Sequence, residues 1–136
     1  MERVQELFSG SGAFALTFLV SLALLAAFIT LYSVLTAHHE MTLIRRGNKA
    51  AALSLGGAIV GFSLPVGKAV AQSGSLIDLA VWAAIAFVAQ ILAYAAAAIF
   101  LPHLRKAIAD DHVASGMLLA ALALAIGILN AASMTA

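Results

Sequence analysis

The sequence has no cysteine and very little charge. Its 136 residues include seven Lys and Arg, six Asp and Glu and two prolines, and only 10% of the chain is charged. Without cysteine the protein can form neither a disulfide nor a thiolate site. The net charge of +1 gives no electrostatic reason to expect nucleic acid as a partner. Ordinary soluble chains are about 25% charged, so this one has too few charges to cover a water-exposed surface.

Long hydrophobic runs take the place of the missing charge. Hydrophobic residues make up 64% of the chain, and the mean hydropathy is +1.09. The uncharged runs are 7–37, 50–67, 79–102 and 113–136. Each is close to or above the ~18–20 residues that a helix needs to cross ~30 Å of hydrocarbon. We therefore predict an all-α membrane protein, a single domain over residues 1–136 with four transmembrane helices.

The first run differs from a signal peptide. The six residues before it contain two acids and one Arg, whereas a signal peptide has a positively charged start. The run is also too long for the apolar core of a signal peptide. We expect an uncleaved span, preceded by a segment over residues 1–11 that lies in the membrane interface.

Two helical hairpins are predicted, over residues 12–70 and 76–135. In each hairpin a charged turn joins the two helices. In the first turn, Gly47 is expected to end a helix in the left-handed conformation, and Asn48 to cap the next helix. In the second, Asp110 or Asp111 is expected to cap the fourth span. Pro65 should bend or end the second span, which would leave residues 66–75 as a loop.

Small residues recur every four positions in the second and fourth spans. Gly57 and Gly61 form one such pair, and Ala123 and Gly127 form another. In lipid there is little hydrophobic drive between helices, so small residues that allow close backbone approach favour association. These four residues predict helix packing, and with it a homo-oligomer or a partner membrane protein.

The basic residues predict an orientation. Five of them lie in the two charged turns: Arg45, Arg46, Lys49, Arg105 and Lys106. The other side of the membrane would carry only Arg3 and Lys68. Because loops rich in Lys and Arg stay in the cytoplasm, we expect both termini outside it.

The two halves of the chain share a plan. A shift of 64 residues pairs His39 with His103 and Ile44 with Ile108. It also aligns the charged turn of the first half, and the small-residue helix that follows it, with those of the second half. Only four identities result over about 25 positions, close to chance for such a biased composition. Two parallel helical-hairpin repeats therefore remain one possible arrangement.

Three stretches resemble a known family. They are EMTLIRRGNKAAALSLGGAIVGFSLP from Glu40, the pair Asp78 and Trp82 that opens the third span, and the ending GILNAASMT. Together they resemble the small bacterial inner-membrane proteins catalogued as domain of unknown function 350. The resemblance implies a four-span inner-membrane protein and an association with envelope-stress gene neighbourhoods. It carries over no catalytic residue.

Several polar residues are candidates for chemistry. They are His39, Glu40, Gln90, His103, His112 and Asn130. Imidazole and carboxylate groups are suitable ligands for transition metals, but no tight motif such as H-x-x-x-H is present. Interfacial polar residues are the simpler explanation of the histidines, so no metal or other cofactor is predicted.

The deeper amides, Gln90 and Asn130, are expected to hold helices together by hydrogen bonds. Ionisable residues inside membrane spans are the first candidates for a functional role, and the sequence shows none deep in a span. This pattern disfavours proton-coupled transport.

The sequence leaves three functions open. The first is a non-enzymatic module that binds partner proteins or organises membrane lipid in the bacterial envelope. The second is a small oligomeric channel or transporter, with the glycine-rich second span lining a path. The third is an intramembrane haem or metal redox protein.

Overall fold

The structure is a computed structural model that describes residues 2–36, 40–72 and 75–134, with side chains from residue 10 onward. The described residues form six helices: α1 Glu2–Thr36, α2 Glu40–Arg45, α3 Lys49–Gln72, α4 Leu76–Phe100, α5 Leu104–Ala109 and α6 Val113–Ser133. Four segments are long and apolar enough to cross a membrane: Gly10–Thr36, Lys49–Gln72, Leu76–Phe100 and Val113–Ser133. The predicted all-α fold with four membrane helices is confirmed.

The short helices α2 and α5 lie at the same end of the bundle as Arg45, Arg46, Lys49, Arg105 and Lys106, which we call the basic end. The far end carries the connection between α3 and α4.

Helix α1 is longer than the predicted first span. It is a single helix of 35 residues, which at 1.5 Å per residue is about 52 Å long. The segment predicted to lie in the interface before the span therefore continues the same helix. Because the hydrocarbon core is only ~30 Å thick, α1 must tilt or extend beyond it.

Helix α3 does not end at Pro65, and the prediction that the loop begins at residue 66 was wrong for residues 66–72. The helix continues through Pro65 to Gln72. Proline has no N–H to donate to the carbonyl four residues earlier, which here belongs to Gly61. That carbonyl lies against Gly127 of α6. A neighbouring helix that covers the freed carbonyl is what makes proline tolerable inside a membrane helix.

Helices α3 and α6 form the centre of the bundle. Along their contact Ala50 meets Gly116, Gly57 meets Ala120 and Gly61 meets Ala123. The residue numbers rise together on both helices, so α3 and α6 run parallel. Backbone touches backbone along this interface because the residues that face each other are glycine and alanine.

An aromatic cluster attaches α1 to this centre. The rings of Phe28 and Phe62 stack at 4.2 Å between centroids, and Phe87 packs edge-on against Phe28 at 6.0 Å. Tyr32 packs edge-on against Tyr94 at 6.3 Å. These contacts link α1 with α3 and α4 from the middle of the bundle toward the basic end.

The helix boundaries recur at a spacing of 64 residues. Thr36 and Phe100 end the first helix of each half, Glu40–Arg45 corresponds to Leu104–Ala109, and Lys49 corresponds to Val113. Gly47 and Asp111, also 64 apart, both have positive φ angles. This correspondence supports the two-hairpin repeat, which stays a prediction.

Candidate functional site

The two turns at the basic end cap each other's helices. Gly47 has a φ of +86°, the left-handed conformation that the sequence predicts. Asn48 accepts a hydrogen bond from the Ala51 N–H at 2.8 Å, as an N-cap does. Its amide nitrogen also donates to the carbonyl of Ile108, at 2.8 Å, at the end of α5. One side chain thus closes the start of α3 and the end of α5.

The prediction that the fourth span is capped by Asp110 or by Asp111 was wrong. The Oδ1 of Asp111 instead accepts hydrogen bonds from the backbone N–H groups of Lys49, at 2.8 Å, and Ala50, at 2.9 Å, at the start of α3. The physical reason is that Asp111 lies one residue before the N-cap position of α6, and its carboxylate is bonded to the start of α3. His112 takes the N-cap position of α6, without a side-chain cap bond to the backbone. Its Nδ1 lies 2.8 Å from the Ser115 hydroxyl.

A buried carboxyl lies next to this turn. Glu40 is only 1% exposed, and its Oε2 accepts a hydrogen bond from the Ser33 hydroxyl at 2.8 Å. Burial disfavours the charged form and raises the pKa of Glu40 from 4.5 to about 7, while the Ser33 hydrogen bond lowers it by less. Among the residues that the structure describes, the hydroxyls of Tyr32 on α1 and Tyr94 on α4 lie near enough to interact electrostatically with it.

The structure does not assemble the histidines and carboxylates into a metal centre. In the described part of the chain, no three His, Asp or Glu side chains are close enough to hold a metal ion. His38 and His39 lie outside the described residues. His103 is exposed on the basic end, in a left-handed conformation with a φ of +64°.

Gln90 lies in the middle of the membrane between three helices. It is 1% exposed, and its Nε2 donates to the carbonyl of Ala123 on α6 at 3.1 Å. The amide fits there because position 61 is glycine: a Cβ at Gly61 would lie 2.6 Å from Nε2. This is the contact between helices that the sequence predicts for a buried amide.

Two buried polar atoms in the described residues have no hydrogen-bond partner. One is an acceptor, Oε1 of Gln90, and the other is a donor, Nδ2 of Asn130. An unsatisfied buried polar group costs roughly 1–3 kcal/mol. These two atoms are therefore positions where a water or a polar solute would be stabilised.

The predicted small-residue pairs, Gly57 with Gly61 and Ala123 with Gly127, pack α3 against α6 within one chain. A Cβ on Gly57 would lie 2.5 Å from the Cα of Ala120, and Gly61 and Gly127 press against Ala123 and against each other across the α3–α6 contact. Gly116, which the sequence analysis did not single out for packing, is equally close to Ala50. Since α6 occupies this face of α3, the face is not free to receive a second copy or to line a path.

Open grooves lie on both sides of α1. One, with a volume of about 450 Å³, separates α1 from α3 and is lined by Ala13, Thr17, Ser21, Gly67 and Val70 among others. The other, about 300 Å³, lies between α1 and α4 and is almost wholly apolar.

Sequence reasoning named Glu40 but not its partners. Ser33 sits seven residues earlier in an unbroken apolar run, and Tyr94 lies on a different span. A serine in a membrane helix satisfies itself on the preceding turn, so nothing in the local sequence signals that Ser33 bonds a carboxylate.

Proteins similar to this chain are known from two bacteria. The UPF0719 inner membrane protein YjfL of Escherichia coli (strain K12) is 37% identical over 123 residues, which is 90% of this chain and 93% of that protein. The UPF0719 transmembrane protein YshE of Bacillus subtilis (strain 168) is 29% identical over 75 residues, 55% of this chain and 56% of that protein. No solved structure matches the chain. Residues 6–134 match the family described as Domain of Unknown Function (DUF350), and the chain belongs to this family as a multi-pass inner-membrane protein.

Proposed function

We propose that the protein is a non-enzymatic module of the inner membrane that binds a second copy of itself along α1. The observation that carries this proposal is the uneven burial of the spans. In the most apolar 18-residue stretch of α1 only 6% of the residues are buried inside the chain, compared with 56% in that of α3. Helix α1 has by far the largest surface left for another helix.

The free part of α1 is the half farther from the basic end. Among the side chains of α1 that the structure describes, from Gly10 onward, the buried ones are Phe28, Tyr32 and Thr36, near the basic end. From Gly10 to Ala23 no residue is buried. In this half, Ala13, Thr17 and Ser21 form a line of small side chains four residues apart along the 450 Å³ groove, which Phe14 and Phe18 also line.

Small residues on α1 favour a second copy as the occupant. Association in lipid depends on close backbone approach, which Ala13, Thr17 and Ser21 allow and large side chains prevent. A second α1 offers the same line of small side chains, so a two-fold symmetric contact would be self-complementary. A helix of another protein or an acyl chain is the competing occupant.

The absence of cysteine makes this contact directly testable. A single Thr17→Cys substitution should give a disulfide-linked dimer in native membranes, because two such lines of small side chains in contact bring the sulfurs together. Ala15→Cys is the matched control, since Ala15 lies at similar depth, is exposed and does not line the groove. Equal cross-linking of both variants would mean random collision. Failure of Thr17→Cys to cross-link would mean that lipid or another protein covers this face.

We further propose that the basic end faces the cytoplasm and that both termini are periplasmic. All five basic residues of the two turns lie at this end, beside α2 and α5. The support is the excess of Lys and Arg, which holds such turns in the cytoplasm.

A second candidate function is transport of protons or small polar solutes. It is favoured by the two unsatisfied atoms on Gln90 and Asn130 and by the buried Glu40 near the basic end. Proton flux into proteoliposomes should then be lost in Gln90→Leu and reduced in Glu40→Gln. A wild-type protein without flux above empty liposomes would rule this candidate out.

A further inference from the structure

A groove opens at the basic end where α4 gives way to α5. It has a volume of about 550 Å³. Ala98 and Leu101, at the end of α4, contribute apolar surface, and His103, Arg105 and Lys106 contribute polar surface. None of the described acidic residues lines this groove. It therefore combines an apolar wall with basic groups.

The groove lies where hydrocarbon meets water. Helix α4 crosses the membrane and ends at Phe100, and Ile99 and Phe100 are both strongly exposed, as lipid-facing side chains are. The six-residue α5 then runs between two spans. The apolar wall is thus continuous with the lipid-facing surface of α4.

The orientation of α5 is fixed by its own apolar residues. Leu104 and Ile108, four positions apart, are both buried against the bundle. Residues four apart share one helix face, so Arg105 and Lys106 are directed away from the core. Tyr94 of α4 lies close to Arg105 and lines the same groove.

His103 is held at the groove in an uncommon backbone conformation. Its φ of +64° lies in the left-handed region, where His, Asn and Asp are more frequent than other residues with a side chain. The imidazole joins the two cations on the lining of the groove.

We propose that this groove binds an anionic phospholipid, with the phosphate at Arg105, Lys106 and His103 and an acyl chain along Ala98 and Leu101. Positive side chains and a negative headgroup are complementary, and basic pockets beside membrane helices are known to bind such headgroups. A free phosphate would leave the apolar wall uncovered. The lipid satisfies both parts of the lining, and its binding is independent of self-association through α1.

The test measures lipid binding to the purified full-length protein. Native mass spectrometry with phosphatidylglycerol and phosphatidylcholine should show preferential binding of the anionic lipid. The double variant Arg105→Gln, Lys106→Gln should weaken phosphatidylglycerol binding about fivefold for each cation removed, about 25-fold in all. Binding of phosphatidylcholine should not change.

A matched control has the same loss of charge in the other turn. Arg45→Gln, Arg46→Gln removes two exposed cations that do not line the groove, and it should leave phosphatidylglycerol binding unchanged. A third variant, His103→Gly, suits the left-handed backbone and removes the imidazole. It should keep the melting temperature and weaken binding of the anionic lipid.

Three results would overturn the proposal. Equal losses in the two double variants would indicate general surface charge. Equal binding of the two lipids by the wild type would show that the basic groups select nothing. Competition by glycerol phosphate as strong as by whole lipid would mean that the groove binds a free phosphate.

Discussion

Glu40 is a single residue that makes the stability of this protein depend on pH. Its carboxyl is buried, and its pKa is raised from 4.5 to about 7. The folded state therefore binds the proton more tightly than the unfolded state does. Stability from this group is fully present below pH 4.5 and is lost as the pH rises to about 7. One pKa unit corresponds to ~1.4 kcal/mol, so the loss amounts to about 3 kcal/mol.

Glu40→Gln should remove this dependence. The amide has nearly the shape of the protonated acid and keeps an oxygen that can accept the Ser33 hydrogen bond. We expect the melting temperature of the wild type to fall between pH 4.5 and 8, and that of the variant to change much less. The variant should also be the more stable protein at pH 8. Parallel melting curves over this range would show that water reaches the carboxyl and that it is already ionised.

Gly47 shows how one backbone angle determines a turn. Its φ is +86°, and a Cβ there would have no atom within 4 Å. A side chain at this position therefore costs free energy because of the backbone conformation, and not because it would clash with neighbouring atoms. Gly47→Val should reduce the free energy of unfolding by roughly 1 kcal/mol or more, and Gly47→Asn by less, because Asn tolerates the left-handed region. Equal denaturant midpoints for the two variants would contradict this assignment.

At the scale of helices, the contact between α3 and α6 holds the fold together. Two adjacent glycines of α3 provide a matched comparison. A Cβ on Gly57 would lie 2.5 Å from the Cα of Ala120, whereas a Cβ on Gly56 would have no neighbour within 4 Å. The same chemical change therefore meets backbone at one position and open space at the other.

Gly57→Leu should separate α3 from α6 and destabilise the fold, while Gly56→Leu should be tolerated. The sequence alone assigned Gly57 to helix packing and, with it, to assembly with a second copy or a partner membrane protein. The structure assigns the effect to the fold, because α6 belongs to the same chain. Melting temperature and resistance to proteolysis in detergent check this. A Gly57→Leu protein that melts like the wild type would show that this face meets lipid.

The helices were predictable where the signal is composition or local chemistry. Uncharged runs identify the spans, and Gly47 and Asn48 mark a turn that local rules describe. The end of α3 was missed because proline normally stops a helix, and what compensates for Pro65 is a contact with α6 that is distant in sequence. The role of Asp111 was missed for the same reason, since its hydrogen-bond partners lie 61 and 62 residues away.

At the scale of the whole molecule, the two halves are joined head to head at the basic end. Asn48 bonds to the end of α5, and Asp111 bonds to the start of α3. Each turn thus satisfies backbone groups that the other half leaves open. This exchange holds α3 and α6 parallel and in register, and the close packing of glycine and alanine follows from it. Helix α1 takes no part in it and stays largely free.

The orientation of the whole molecule is the property that decides which leaflet the basic end meets. Its five basic residues predict a cytoplasmic location, since loops rich in Lys and Arg are retained there. A reporter that is active only in the cytoplasm should be active when fused after Arg46 and silent when fused after Ala136. A periplasmic reporter at the same two positions should give the opposite pattern. Cytoplasmic activity after Ala136 together with silence after Arg46 would invert the topology, and the basic groove of α5 would then face the periplasmic leaflet.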